Sequence, residues 1–221
     1  MSDFFDNVTL ELYDEADHSA VENHISQYFG QNTLVLHEML SDYIHVDVIL
    51  IEPKPERNFF TLITLGMGAH KMDVPEGLRG SKDRAELMIN LPPSWKLNEK
   101  NEIWYWPIGL LKSLARLPIY ASTWLGYGHT VASSDPPSPY ADNALFCAAL
   151  LSLPYFFGED SYVCAISKNE LVNFYQIIPI YESEMNFKLQ NSAKELESLI
   201  LGDINNNPCI IDINRINAII N

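Results

Sequence analysis

Apolar residues recur at helical spacing over Glu15 to Phe29, where Ala16, Ala20, Val21, Ile25, Tyr28 and Phe29 share a side and Gly30 stands as the stop. The period then shortens to two. Thr33 to Glu38 and Tyr43 to Ile51 read as strands, the second with Ile44, Val46, Val48 and Leu50 on one face and His45, Asp47, Ile49 and Ile51 on the other. Pro53 and Pro55 end it, and the short link to a third strand, Phe59 to Leu65, predicts an antiparallel hairpin. Gly66 to Lys82 has four glycines and no period, so it reads as a loop.

Alternation returns at Arg84 to Leu91 and stops at Pro92-Pro93. Pro107 is placed to open a helix whose stripe of Leu110, Leu111, Leu114, Ala115 and Leu117 ends at Pro118. Ser122 to Asn143 reads as a loop rich in Gly, Ser and Pro. Leu145 to Leu153, Tyr162 to Ile166 and Leu171 to Ile180 are strand candidates. Glu182 to Leu201 predicts a long helix with a break near Asn191, and Asn205 to Pro208 is a turn. Cys209 to Ile220 is a final element whose type the pattern leaves open. With no repeat and no linker, residues 1–221 read as a single α+β domain.

Charge narrows the partners. Fourteen lysines and arginines stand against 29 acids, a net charge of -15, which repels nucleic acid and anionic membranes and attracts a cationic partner. An acidic N-terminus unlike a signal peptide, and the lack of a long apolar run, point to a soluble cytoplasmic protein. Cys147, Cys164 and Cys209 sit in apolar contexts without paired spacing and read as buried thiols.

The stretch Glu102 to Thr130 concentrates the candidate chemistry. It holds Trp104, Trp106 and Trp124, and His129 follows Gly126-Tyr127-Gly128. His129 is a candidate acid or base that Glu86 or Asp47 could orient, which keeps a hydrolase reading open. Against it, Ser133 and Ser134 lack a nucleophile elbow, Cys147 has apolar neighbours, and the Gly-x-Gly pair lacks the further glycine or lysine of a phosphate loop. His45 and Asp47 share a strand face, and His70 and Asp73 could join them, but no metal-ligand spacing occurs. Neither a metal nor a cofactor is expected, and the chain is not expected to be an enzyme.

Five segments together resemble the Suppressor of fused domain: Arg84-Ala85-Glu86-Leu87 running to Leu91-Pro92 and Trp95; WYWPIGLLKSLARLP from Trp104; TWLGYGHT from Thr123 to Thr130; FYQIIPIYESEM from Phe174; and the turn Thr64-Leu65-Gly66-Met67. The resemblance spans residues 40–190 in the family's order, and an Asp212-Ile213-Asn214-Arg215 tail is of the kind that closes bacterial members. Gly68 departs from it, standing where a serine or similar small polar residue is expected.

The resemblance implies a mixed, largely antiparallel sheet flanked by helices, and action by binding proteins rather than by catalysis. For a bacterial member it implies an immunity protein that neutralises a secreted toxin of a polymorphic system, with a peptide-binding regulator as the alternative. A basic nuclease is the toxin that the net charge suits. Within this picture Trp104 and Trp106 are core. Trp124, Tyr127 and His129 are the expected partner-binding centre, and Met67, His70 and Asp73 lie on an opposite lip whose free backbone pairs with the partner. Glu11, Asp14, Glu15, Asp17, Glu182, Glu184, Glu195 and Glu197 are the acids expected to be available to a basic partner.

Overall fold

In a computed structural model, residues 10–219 are described, apart from 32, 40, 42, 168 and 169. The longest strand, β8 (Leu171–Ile180), carries the run LVNFYQIIPI and is buried along nearly its whole length. Such a run is not alternating because both faces of the strand are covered. Around it the described residues form one eight-stranded sheet in the order β1-β2-β3-β4-β8-β6-β5. Its other strands are β1 (Leu34–Leu36), β2 (Asp47–Ile51), β3 (Phe60–Leu65), β4 (Ala85–Leu91), β5 (Thr130–Ala132), β6 (Ala148–Ser152) and β7 (Val163–Ala165).

The predicted hairpin is present, with Ile49 opposite Ile63 in an antiparallel β2–β3 pair. Among the paired strands of the described residues only β4 and β8 run parallel, with Glu86 opposite Phe174. On its other side β8 pairs first with β7 and then with β6, so two short strands share one long neighbour. The expected α+β architecture with a mostly antiparallel sheet is therefore what the chain adopts.

Helices cover both faces. On one, α2 (Glu102–Tyr120) lays Leu110, Leu111, Leu114 and Ala115 over Val48, Leu62, Leu87, Ile89 and Ile177. On the other, α1 (Glu15–Tyr28) packs Val21 and Ile25 with Ile49, Ile63 and Phe174. Further along that face α3 (Glu182–Gln190) and α4 (Ala193–Leu201) cover β6, with Leu196 against Leu150 and Ile178. The expected break near Asn191 is real, because the Ser192 side chain accepts from the Glu195 N–H and starts α4 anew.

Several boundaries move. The second helix begins at Glu102 rather than Pro107 and runs through Pro118 to Tyr120. Pro107 has no N–H to offer the Ile103 carbonyl, and Asn143 Nδ2 donates to that oxygen at 3.2 Å, so the helix tolerates the proline. Ser122 to Asn143 is not all loop, since it contains β5. The strand expected over Leu145 to Leu153 shortens to β6. Beyond Pro208 the described chain forms turns and one isolated bridge, Asn90 to Ile210. Ile220, the end of that last expected segment, lies outside the described residues.

That tail is nonetheless fixed. Arg215 binds the fully buried Glu184, lies over the rings of Phe146 and Tyr181, and receives the Tyr181 hydroxyl on its own carbonyl.

Candidate functional site: the open edge of the sheet

β5 ends the sheet. Its three residues, Thr-Val-Ala, are short and include two β-branched side chains. Leu151 donates its N–H to the His129 carbonyl and Ser133 donates to the Cys147 carbonyl, so residues 129, 131 and 133 face β6. The antiparallel alternation leaves the N–H and C=O groups of Thr130 and Ala132 pointing away. Among the described residues no strand covers them.

Two clefts flank this edge and share Leu117, Val131 and Ala132. One, of about 370 Å³, lies between α2 and β5 and is lined by Trp106, Leu110, Ser133 and Tyr140 among others. The other, of about 640 Å³, opens between the end of α2, β5 and α3, where Trp124, His129, Thr130, Lys188 and Leu189 line it. The rings of Trp124 and His129 meet edge-on with centroids 4.2 Å apart. Gly126 permits this approach, because a Cβ there would stand 2.5 Å from the indole. Burial holds the His129 imidazole below its ordinary pKa, a hydrogen bond with the Trp124 backbone works the other way, and nearby Lys188 lowers it again.

Tyr127 does not join Trp124 and His129 in the cleft. Its hydroxyl donates to Glu197 Oε2 at 2.8 Å, while Ser152 donates to Glu197 Oε1 at 2.6 Å. Tyr127 thus fastens the loop before β5 to α4. Burial raises the Glu197 pKa, and the hydrogen bonds from Ser152, Tyr127 and Tyr155 oppose the rise. Glu184 and Glu197 were expected to be available to a partner; both are buried and bonded within the fold, so neither is.

The opposite lip is also corrected. Met67 is buried, and the turn around it closes over Glu86 rather than offering free backbone. Glu86 Oε1 accepts from Gly66 N–H and Gly68 N–H, each at 3.0 Å, and from the Tyr13 hydroxyl at 2.8 Å; Oε2 accepts from the Thr64 hydroxyl at 2.6 Å. Burial pushes the Glu86 pKa up to about 7 against these hydrogen bonds. The Thr64 to Met67 motif is therefore a cradle for an internal carboxylate. His70 pairs with Glu11, and Asp73 is exposed outside both clefts. The walls facing Trp124 come instead from Leu117, Lys188 and Leu189, which the sequence pattern had assigned only to helices.

The residues weighed for catalysis do not assemble. Glu86 is committed to its cradle, and Asp47 binds His37, His45 and the Glu38 N–H, so neither orients His129. Burial pushes the Asp47 pKa up, but these partners outweigh it and hold the carboxyl below its ordinary range. Ser133 and Ser134 bond within their own turn, to Ser138 and to the Ser138 and Pro136 carbonyls. Burial raises the Cys147 thiol pKa, the Glu182 charge adds to the rise, and a hydrogen bond with the Glu182 backbone opposes it. Among the described residues no group of three His, Cys, Asp or Glu side chains is arranged to hold a metal. No helix there is long and apolar enough to cross a membrane.

Comparison with known proteins bears on this geometry. The model of the family described as Suppressor of fused protein (SUFU) matches residues 42–216. An uncharacterised protein of Ureaplasma parvum serovar 3, UU111, is 26% identical over 206 residues, covering 92% of this chain and 96% of that protein. Among solved structures, a Suppressor of fused homologue from Neisseria gonorrhoeae FA 1090 superposes with a TM-score of 0.64 at 20% identity, over 93% of this chain and 98% of the other. A chain of the Sufu–Fu complex superposes at 0.66 with 14% identity, over 93% of each chain. Drosophila Suppressor of Fused superposes at 0.65 with 15% identity; the match takes in 92% of this chain but 51% of the Drosophila chain.

Proposed function

The chain belongs to the Suppressor of fused protein family, and from that premise we propose that it acts by binding a segment of another protein along the open edge of its sheet, not by catalysis. The observation that carries this reading is β5, whose outward N–H and C=O groups at Thr130 and Ala132 lie between two clefts. An extended segment laid there gains main-chain hydrogen bonds from the strand and places alternate side chains in the clefts. A related fold in complex with a protein, Sufu with Fu, supports binding as the mode of action. The dispersal of His129, Glu86, Asp47 and the serines supports the absence of catalysis.

The narrower form of the proposal is that the partner is a secreted toxin and the chain its immunity protein. The net charge of -15 supports it, because such a field speeds encounter with a basic nuclease and competes with nucleic acid for its cleft. A peptide-binding regulator is the other form. Co-expression with the product of the adjacent gene tests both. The expected result is a stable complex in which the Thr130 and Ala132 amides gain hydrogen-exchange protection, lost in Ala132→Pro, which removes an outward N–H without breaking a bond to β6. Rescue of cells from that gene product's toxicity separates immunity from regulation. Protection confined to another surface sinks the groove.

A further inference from the structure

Resting on the groove reading above, we infer that the segment it binds carries acidic side chains, although the protein as a whole is strongly acidic. The lining of the two clefts is asymmetric in charge. Neither contains an aspartate or glutamate. Its one cationic side chain is Lys188, in the last turn of α3, which makes no ion pair among the described residues.

The lysine ammonium can only donate. A lysine on an apolar wall favours a carboxylate over an amide, because the hydrogen bond is then charge-assisted. A segment paired to β5 sends successive side chains to opposite faces. An acidic residue on the face toward α3 therefore meets Lys188 beyond the edge. Long-range and short-range electrostatics ask for different things: the field of the whole chain favours a cationic partner, and the groove a locally acidic strand on it.

Selection of short random displayed peptides on the full chain, with Ala132→Pro as the counter-selection, tests the inference. The expected outcome is enrichment of peptides in which Asp or Glu alternates with apolar residues. Synthetic peptides from that set should bind Lys188→Gln about tenfold more weakly. Lys188→Glu should reverse the preference toward Lys or Arg. Peptides that require an intact β5 but show no acidic preference, or bind Lys188→Glu unchanged, overturn the inference and leave the groove standing. No enrichment, or enrichment that Ala132→Pro does not abolish, overturns both.

Discussion

Arg215 holds Glu184 with both ends of its guanidinium, Nη1 to Oε1 at 2.6 Å and Nη2 to Oε2 at 2.7 Å. The Tyr181 N–H donates to Oε2 and the Ala218 N–H to Oε1, so the carboxylate joins the start of α3 to the tail after Pro208. Glu184 has no exposure to water, and the pair is correspondingly intolerant of losing one member.

Arg215→Ala is expected to destabilise the chain by about 3–5 kcal/mol, because it strands a buried charge, whereas Glu184→Gln with Arg215→Met should cost less than either single change. Denaturant unfolding of the three variants checks this. A loss under about 1 kcal/mol for Arg215→Ala would show that water replaces the pair.

Glu86 sets a pH dependence. Its folded pKa of about 7 lies above the ordinary 4.5, so between these values the folded chain keeps a proton that the unfolded chain has released. Stability is therefore fully present below about pH 4.5, falls as pH rises toward 7, and is flat in this group above it, with a slope of at most about 1.4 kcal/mol per pH unit. Glu86→Gln should flatten that part of the curve. An unchanged slope in the variant assigns the dependence to other groups.

Gly68 and Tyr13 should prove coupled. A Cβ at residue 68 would stand 2.1 Å from the Tyr13 hydroxyl, which itself donates to Glu86. Gly68→Ala is expected to be destabilising, by about 1–3 kcal/mol for the overpacking, and Tyr13→Phe to cost about as much through the lost bond. In the double variant the hydroxyl that clashes is gone, so its loss should be well short of the sum. Full additivity in thermal unfolding would show that the methyl is accommodated without disturbing the Tyr13–Glu86 bond. The same contact explains why this chain has glycine where the resemblance leads one to expect serine.

Gly126→Ala acts on the groove without touching the partner. Its methyl displaces the Trp124 indole, so partner affinity should fall about as far as in Trp124→Ala, and the double variant should be no worse than either. Titration calorimetry with the partner, beside thermal unfolding, measures both effects. If either variant unfolds the chain before binding is affected, Trp124 belongs to the core.

Where each element lies was largely legible along the chain, because period two and period 3.6 are local properties of the sequence. The hairpin Asp47–Ile51 to Phe60–Leu65, the strand Leu171–Ile180 and the helix break at Asn191 all follow from neighbours a few residues apart. The errors fell where a distant group changes a local rule. Pro107 reads as a helix start until Asn143 supplies a donor for the freed carbonyl. Glu184 and Glu197 read as solvated acids until Arg215 and Tyr127 reach them.

The family and the α+β class are legible in the linear chain, because a binary pattern and an ordered set of motifs survive without coordinates. It also placed Trp124 near His129, five residues along one loop. What surrounds them depends on how the distant elements pack. Thr64, Gly66 and Gly68 turned inward because a buried carboxylate must be given hydrogen bonds, and these supply three of the donors to Glu86. The groove exists because β5 ends the sheet between α2 and α3, which are distant along the chain. Which strand is left without a neighbour is a property of the whole fold, and no local pattern encodes it.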